Sequence, residues 1–243
     1  MAHSNPHGKD TVFLHDQYNL TSSLDSTSID RSIAVLDTTV FGLDSRTYTP
    51  GQKDGSVSVE GFADPAAAGI DTILTNSFGS ASTSVTVSLG QTAGSNAYLM
   101  DAIENQYATT SSVTELVRIS GEYQAAQDGV DAGVLLLPVT TATASANGAT
   151  HDRGSGSTTS SGAVAIVHVT AVSGTSPTLD AIVQMDDNSS FTSATSLITF
   201  TQATAITSQR TEVTTSAERY IRLNYTIGGT DPSFTFAVSF ATR

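Results

Sequence analysis

Few side chains in this chain have the type and spacing to do chemistry, and each has a plainer reading beside it. His168 lies in the apolar run Ala163-Val-Ala-Ile-Val-His168-Val-Thr-Ala-Val172. An imidazole there can serve as a base, but within such a strand it more often packs as a core or face residue. His3, His7 and His15 are spread over a polar N-terminal stretch with nothing to fix a metal-binding geometry. Asp186-Asp187-Asn188 offers the oxygen ligands calcium takes, but such triplets are also ordinary turn formers. Serine is so common, 33 residues, that Ser/His/Asp combinations arise by chance. Gly154-Ser155-Gly156 does not follow a strand, and neither a nucleophile elbow nor a phosphate loop can be found. Arg210, Arg219 and Arg222 form a candidate surface patch for a sugar, carboxylate or phosphate. They also read as edge or face residues beside Glu212 and Glu218. The expectation is therefore no catalytic residue, no cofactor and no metal.

The chain carries 23 acids against 10 bases, a net charge of −13, over 243 residues, with no cysteine and no tryptophan. An acidic chain without a Lys/Arg cluster is poorly suited to grip phosphates by counterion release. Absence of cysteine removes disulfides and zinc–thiolate sites. No apolar run approaches the roughly 20 residues of a membrane-spanning helix. The polar N-terminus lacks the apolar stretch of a signal peptide, so a soluble protein made in a cytoplasm is expected. The charge is uneven. Residues 1–145 hold 16 acids and 5 bases, a net of −11, and residues 146–243 hold 7 acids and 5 bases, a net of −2. Between the halves, 140–162 is a run of Thr, Ala, Ser and Gly that reads as a linker.

The elements that must position any site are mainly β with one short helix. Residues 11–20 look extended, and a polar, turn-rich stretch follows. Val57 and Val59 alternate with Ser56, Ser58 and Glu60, which predicts a half-buried strand over 55–62. Asp64-Pro65 supplies a helix cap and a first-turn proline, and Ala66, Ala67, Ala68, Ile70, Ile73 and Leu74 continue at helical spacing before Gly79. Strands are predicted over 84–89, 113–120 and 130–138; 97–107 fits either strand or helix. The C-terminal part predicts strands over 163–172, 178–185, 195–200, 212–215, 219–227 and 233–241, with turn residues Gly228-Gly229-Thr230-Asp231-Pro232 between the last two. An antiparallel sandwich, Ig-like or jelly-roll-like, is the expected solution for 163–243.

One set of motifs carries a resemblance. Leu36-Asp37-Thr38-Thr39-x-Phe41-Gly42, then Tyr48-x-Pro50-Gly51-x-Lys53-Asp54-Gly55-Ser56-Val57-Ser58-Val59-x-Gly61-Phe62, resembles the N-terminal half of major tail (tail tube) proteins of long-tailed, non-contractile bacteriophages. Gln52 stands where that family often has Leu. Ile119-Ser120-Gly121-Glu122 and Gly133-Val134-Leu135-Leu136 resemble the family's closing strands. Arg219-Tyr220-Ile221-Arg222 with Gly229-Thr230-x-Pro232-Ser233-Phe234-Thr235-Phe236 is similar to an extra β-domain often fused to such proteins.

The resemblance implies a two-sheet sandwich or half-barrel tube domain over 1–140, with an N-terminal arm at about 1–12 and a stacking loop at about 43–56. A linker at 141–162 and a C-terminal decoration sandwich at 163–243 follow. Six copies would form a ring whose sheets pair edge to edge. Rings would stack into the virion's tail tube, through which DNA is ejected into the host without being specifically bound. Ser45, Arg46, Tyr48, Pro50, Gly51, Lys53, Asp54 and Gly55 would contact the next ring. The implied partners are further copies of the chain, a tape measure protein, a tail terminator and distal tail proteins, with synthesis in the host bacterial cytoplasm. Two other classes fit parts of the sequence: a secreted or surface carbohydrate-binding or adhesin-type β protein, and another phage structural piece such as a decoration or baseplate protein.

Overall fold

The structure is a computed structural model that describes residues 6–66, 69–154 and 161–243. The fold is mainly β with one α-helix, as the alternating patterns predict. In chain order the elements are β1 (Val12–His15), β2 (Tyr18–Asn19), β3 (Leu24–Asp37), β4 (Tyr48–Phe62), α1 (Ile70–Ser77), β5 (Thr83–Ser88), β6 (Asn96–Thr110), β7 (Arg118–Ala142), β8 (Ala146–Asn147), β9 (His151–Asp152), β10 (Ala163–Asp186), β11 (Thr195–Thr199), β12 (Thr207–Val213) and β13 (Tyr220–Thr242). Contacts divide the chain into two units, one made of 1–22, 84–99 and 131–243, the other of 23–83 and 100–130. This division does not follow the expected one at 140–162. The described part of that stretch is not structureless: β8 and β9 pair with β13 through Tyr225↔Ala146 and Ile221↔His151. Residues 155–160, within the expected linker, and 1–5, within the expected N-terminal arm, lie outside the described residues.

The first unit is organised by the ladder between β10 and β13, which runs antiparallel from Ala163↔Thr242 to Asp186↔Tyr220. Four predicted strands are thus two long ones. The reason lies at mid-ladder, where the register shifts between Val169 and Ala171, Ser173 and Thr175, and Thr175 and Thr178. Gly174 and Gly229 take φ +110° and +117° there, and a Cβ on either would come within 2.7 Å of a carbonyl oxygen on the facing strand. The Gly-Gly-Thr-Asp-Pro segment is therefore a bulged bend inside a continuous strand pair, not a hairpin turn.

Bending lets both halves of each strand serve one core. Val167 and Val169 join Leu179, Ala181 and Val183, and Ile221, Leu223 and Tyr225 join Phe234, Phe236, Val238 and Phe240. The Tyr225 and Phe236 rings meet edge to face at 5.2 Å, from opposite sides of the bend. Leu136, Leu137 and Ala142 of β7 belong to the same core, so it takes in residues both N-terminal of the expected linker and, at Ala142, within it. Val164 and Ile166 face the other way, onto Ala97, Leu99, Leu135 and Ala241. Burial on both faces explains why 163–169 reads as an unbroken apolar run rather than an alternating one.

The second unit holds the sheet order β3-β4-β7-β6 and α1. Val57 and Val59 of β4, Ile119 and Tyr123 of β7 and Ile70, Ile73 and Leu74 of α1 are buried. Leu74 packs at Gly121, where a Cβ would lie 3.6 Å from its Cδ1. The described helix spans Ile70–Ser77, and Pro65 and Ala66 are not helical; Ala67 and Ala68, also expected in the helix, lie outside the described residues. Asp64 Oδ1 accepts from Ala66 N (3.1 Å) and so holds a turn ahead of the helix, whose N-cap is Gly69 without a side-chain cap bond. Two strand expectations also change. β3 occupies the stretch expected to be turn-rich, and 113–117 is not strand, since β7 begins at Arg118. β3 has no buried face to impose a period of two, and Val113 and Leu116 have no core to enter.

Candidate functional site

The outer part of the β3–β4 hairpin is a two-stranded ribbon exposed on both faces. Every residue from 30 to 50 is exposed. The ladder continues from Arg31↔Gly55 to Asp37↔Tyr48, with a shift between Ile33 and Val35. β4 pairs with β7 only from Ser56 onward, so Pro50, which lacks an N–H, sits where one side of the strand is unpaired. The base is clamped. Arg31 Nε donates to Val130 O at 2.8 Å, and Gly55 lies so close to Val130 that a Cβ would meet its Cγ2 at 2.6 Å. At the far end Thr38 N donates to Thr47 O (2.9 Å), Thr47 N to Thr39 Oγ1 (3.0 Å) and Thr39 N to Asp37 Oδ1 (2.9 Å). The hydrogen bonds from Thr39 hold the Asp37 carboxyl below the usual carboxylate range.

This ribbon carries an unusual load of apolar surface. Ile33, Val35, Leu36, Val40, Leu43 and Tyr48 are all exposed, and Phe41 is fully so at 108%. An isolated two-stranded ribbon is marginal in water, and clustered exposed apolar side chains mark interaction surfaces. Of the expected stacking residues, Ser45 and Arg46 lie in the connection and Tyr48, Pro50, Gly51, Lys53, Asp54 and Gly55 lie in β4. They are brought together on one β3–β4 hairpin arm, the hairpin form of the expected loop or hairpin. The exposed apolar set is not legible in the sequence, because Ile33 to Leu43 follow no period and so resemble a weakly packed strand.

Around the arm's base the same unit presents a polar sheet face. The cross-strand rows are Ser28, Ser58 and Glu122, then Asp30, Ser56 and Gln124, then Ser26, Glu60 and Ser120. They alternate with the buried Val57, Val59, Ile119 and Tyr123. Asp54 Oδ1 accepts from Gln124 Nε2 at 2.5 Å on this face. Arg118, at the end of the face, is bound to Asp25 at 2.8 Å and lies 3.7 Å from Glu60.

The other groups singled out by type are internally engaged. Arg210 pairs with Glu212 and lies 3.8 Å from the buried Asp131. Asp131 and Glu212 also receive Arg243, at 2.8 and 2.6 Å. Arg219 forks onto Asp152 with two bonds of 2.8 Å and lies over the Tyr220 ring. That fork holds the Asp152 carboxyl down at about 2. Arg222 donates to Gln184 Oε1 at 2.9 Å and stacks over Phe191. The three arginines thus answer to three different sets of partners.

Asp186 uses its oxygens on the backbone N–H groups of Asn188 and Ser193, both at 2.9 Å, which lowers its pKa. His7 Nδ1 accepts from Lys9 N, and His15 and His168 are buried; His3 lies outside the described residues. Among the described residues there is no group of three or more His, Asp or Glu side chains placed to hold a metal. None of their helices is long and apolar enough to cross a membrane.

No protein-family model matches the chain, and no curated protein sequence matches it. Among solved structures the chain is similar to a component of the virion of a native gene transfer agent particle, at 15% identity and a TM-score of 0.42, over 51% of this chain and 95% of that one. It is similar to the SPP1 tail tube protein at 14% identity and a TM-score of 0.44, over 53% and 78%. A third likeness, to the SPP1 Dit protein, extends over 96% of this chain and 99% of that one, at 11% identity and a TM-score of 0.37.

Proposed function

We propose that this chain is a structural virion protein, the subunit of a phage tail tube of the long-tailed, non-contractile kind. It polymerises through the β3–β4 arm as six-membered rings stacked into a tube through which DNA passes. The observation that carries this reading is the arm itself. Beyond its clamped base the ribbon is exposed on both faces, with Phe41 at its tip and none of residues 30–50 buried, and it coincides with the segment 36–62 whose motifs resemble the tail tube family.

Two further features support it. Among the described residues β3 pairs only with β4, leaving a 14-residue strand with one edge open to pairing. Pairing with a neighbouring subunit would satisfy it, and ring closure removes the edge altogether. The polar face bearing Asp30, Asp54, Glu60 and Glu122, with Arg118 its single base, has the character of a wall that repels phosphates and lets DNA slide. In this reading the strands of 163–243 are displayed by the assembly as a decoration. Tape measure, tail terminator and distal tail proteins are the partners at its ends, and the finished protein resides in the virion.

Negative-stain microscopy and mass photometry of the purified chain test the reading. Hollow rings or tubes of constant bore are expected; a monodisperse monomer at all concentrations overturns it. Replacing residues 39–46 by Asn-Gly, which closes a two-residue hairpin, should leave a folded subunit by circular dichroism and abolish tubes. Tubes of normal length from that variant remove the arm from assembly.

A further inference from the structure

The second unit carries another exposed apolar patch, and its position relative to the arm is informative. It is formed by the connection after β6, where Val113 is fully exposed and Leu116 is 71% exposed, together with Val117 and Phe62. The patch is tied to the end of β4 opposite the arm. Phe62 pairs with Arg118 in the ladder, Ala63 N donates to Val117 O at 3.0 Å, and the Arg118 guanidinium lies 5.0 Å from the Phe62 ring centre.

The tip lies beyond Tyr48, the patch beyond Phe62, and the fourteen residue-to-residue steps of β4 between them span roughly 45 Å at about 3.3 Å each. One subunit cannot fold its own tip onto its own patch. A second copy can, and the contact is then heterologous: each copy uses its tip on one neighbour and its patch on the other, so the series continues along the strand direction. Charge fits the same occupant. In a chain of net −13, two copies repel. The tip, 38–47, holds only Asp44 and Arg46 and is electrically balanced, so it can approach another copy without adding to that repulsion.

We infer that the apolar patch of Phe62, Val113, Leu116 and Val117 is the receptor for the β3–β4 arm tip of a second copy of this chain, Phe41 docking against Leu116 and Val113. This deepens the tube reading and rests on it.

The natural absence of cysteine makes the contact directly testable. Phe41→Cys, Leu116→Cys and the double variant change exposed side chains and leave the core intact. Under assembly conditions, treatment with a short bis-maleimide should leave each single variant a monomer on a denaturing gel. The double variant should give a ladder of covalent oligomers, and a mixture of the two singles should give dimers only. Val113→Cys in place of Leu116→Cys should give the same pattern, which guards against one unfavourable pair geometry. Dimers from Phe41→Cys alone would mean that tips meet tips and overturn the inference. Tubes that form normally from both double variants but give no ladder overturn it too, while leaving the tube reading standing. A wild-type chain that stays monomeric, with no ladder from either double variant, sinks both.

Discussion

His168 Nδ1 and the main-chain carbonyl of Asp16 lie 2.5 Å apart across 152 residues of sequence, tying β10 to the turn of the N-terminal hairpin. A carbonyl can only accept, so Nδ1 carries the proton and Nε2 is bare. Nε2 then accepts from Thr86 Oγ1 at 2.9 Å, which leaves Thr86 to accept from Ser239 Oγ, also at 2.9 Å. The four groups form a one-way chain of hydrogen bonds that needs a neutral imidazole. All but the Asp16 carbonyl belong to buried side chains.

Burial holds His168 down at about 4, and His15 also at about 4, the latter by burial and then by repulsion from His168. In the unfolded chain both titrate near 6.5. Between those values the unfolded state binds protons that the folded state does not. Their contribution to stability is therefore full above pH 6.5 and lost as pH falls toward 4, by up to about 1.4 kcal/mol per pH unit for each histidine. Urea unfolding between pH 7.5 and 4.5 should show this loss. His168→Leu should flatten it by about one proton while lowering stability at pH 7.5 by about 1–3 kcal/mol, because the Asp16 carbonyl and Thr86 lose a buried partner. An unchanged slope in that variant would place the acid sensitivity elsewhere.

Glu104, in the second unit, has the opposite sign. It is fully buried, receives the Ser77 hydroxyl, and has one carboxyl oxygen without a partner. Burial pushes its pKa up to about 7, against the smaller lowering effect of Ser77. The folded carboxyl keeps its proton where the unfolded one has lost it. The stability it contributes is complete below about pH 4.5 and disappears as pH rises through 7. Amide exchange within Ile70–Ser77 should accelerate between pH 6 and 8 beyond the intrinsic chemical rate, and Glu104→Gln should remove that excess. Exchange in β1 and β5 should show no such rise over the same interval, because the histidine pair is neutral there.

Gly174 tests the bend. With φ at +110° and a facing Asp231 carbonyl 2.7 Å from where a Cβ would stand, Gly174→Ala should cost about 1–3 kcal/mol. The midpoint of chemical unfolding should drop accordingly, with the slope unchanged. Gly154, also at positive φ but with open space around it, serves as the control and should cost less.

Local rules carried much of this protein. The period of two at Val57 and Val59, and at Phe234, Phe236, Val238 and Phe240, marked core faces that the structure keeps, because a strand half buried against a core writes that period into its own residues. Mainly β architecture and a single helix follow from the same kind of signal. What only tertiary structure decided is what depends on a partner far away in sequence. Gly228 to Pro232 look like a hairpin turn until β10 pairs straight through them. Ala66, with Asp64-Pro65 before it, has good helix chemistry, yet α1 begins only at Ile70, where apolar side chains reach the sheet. Ile33, Phe41, Val113 and Leu116 are core residues by type and surface residues in fact. Composition cannot tell an apolar side chain with a core behind it from one that meets only solvent or another molecule, since burial is a property of the whole fold and not of the residue.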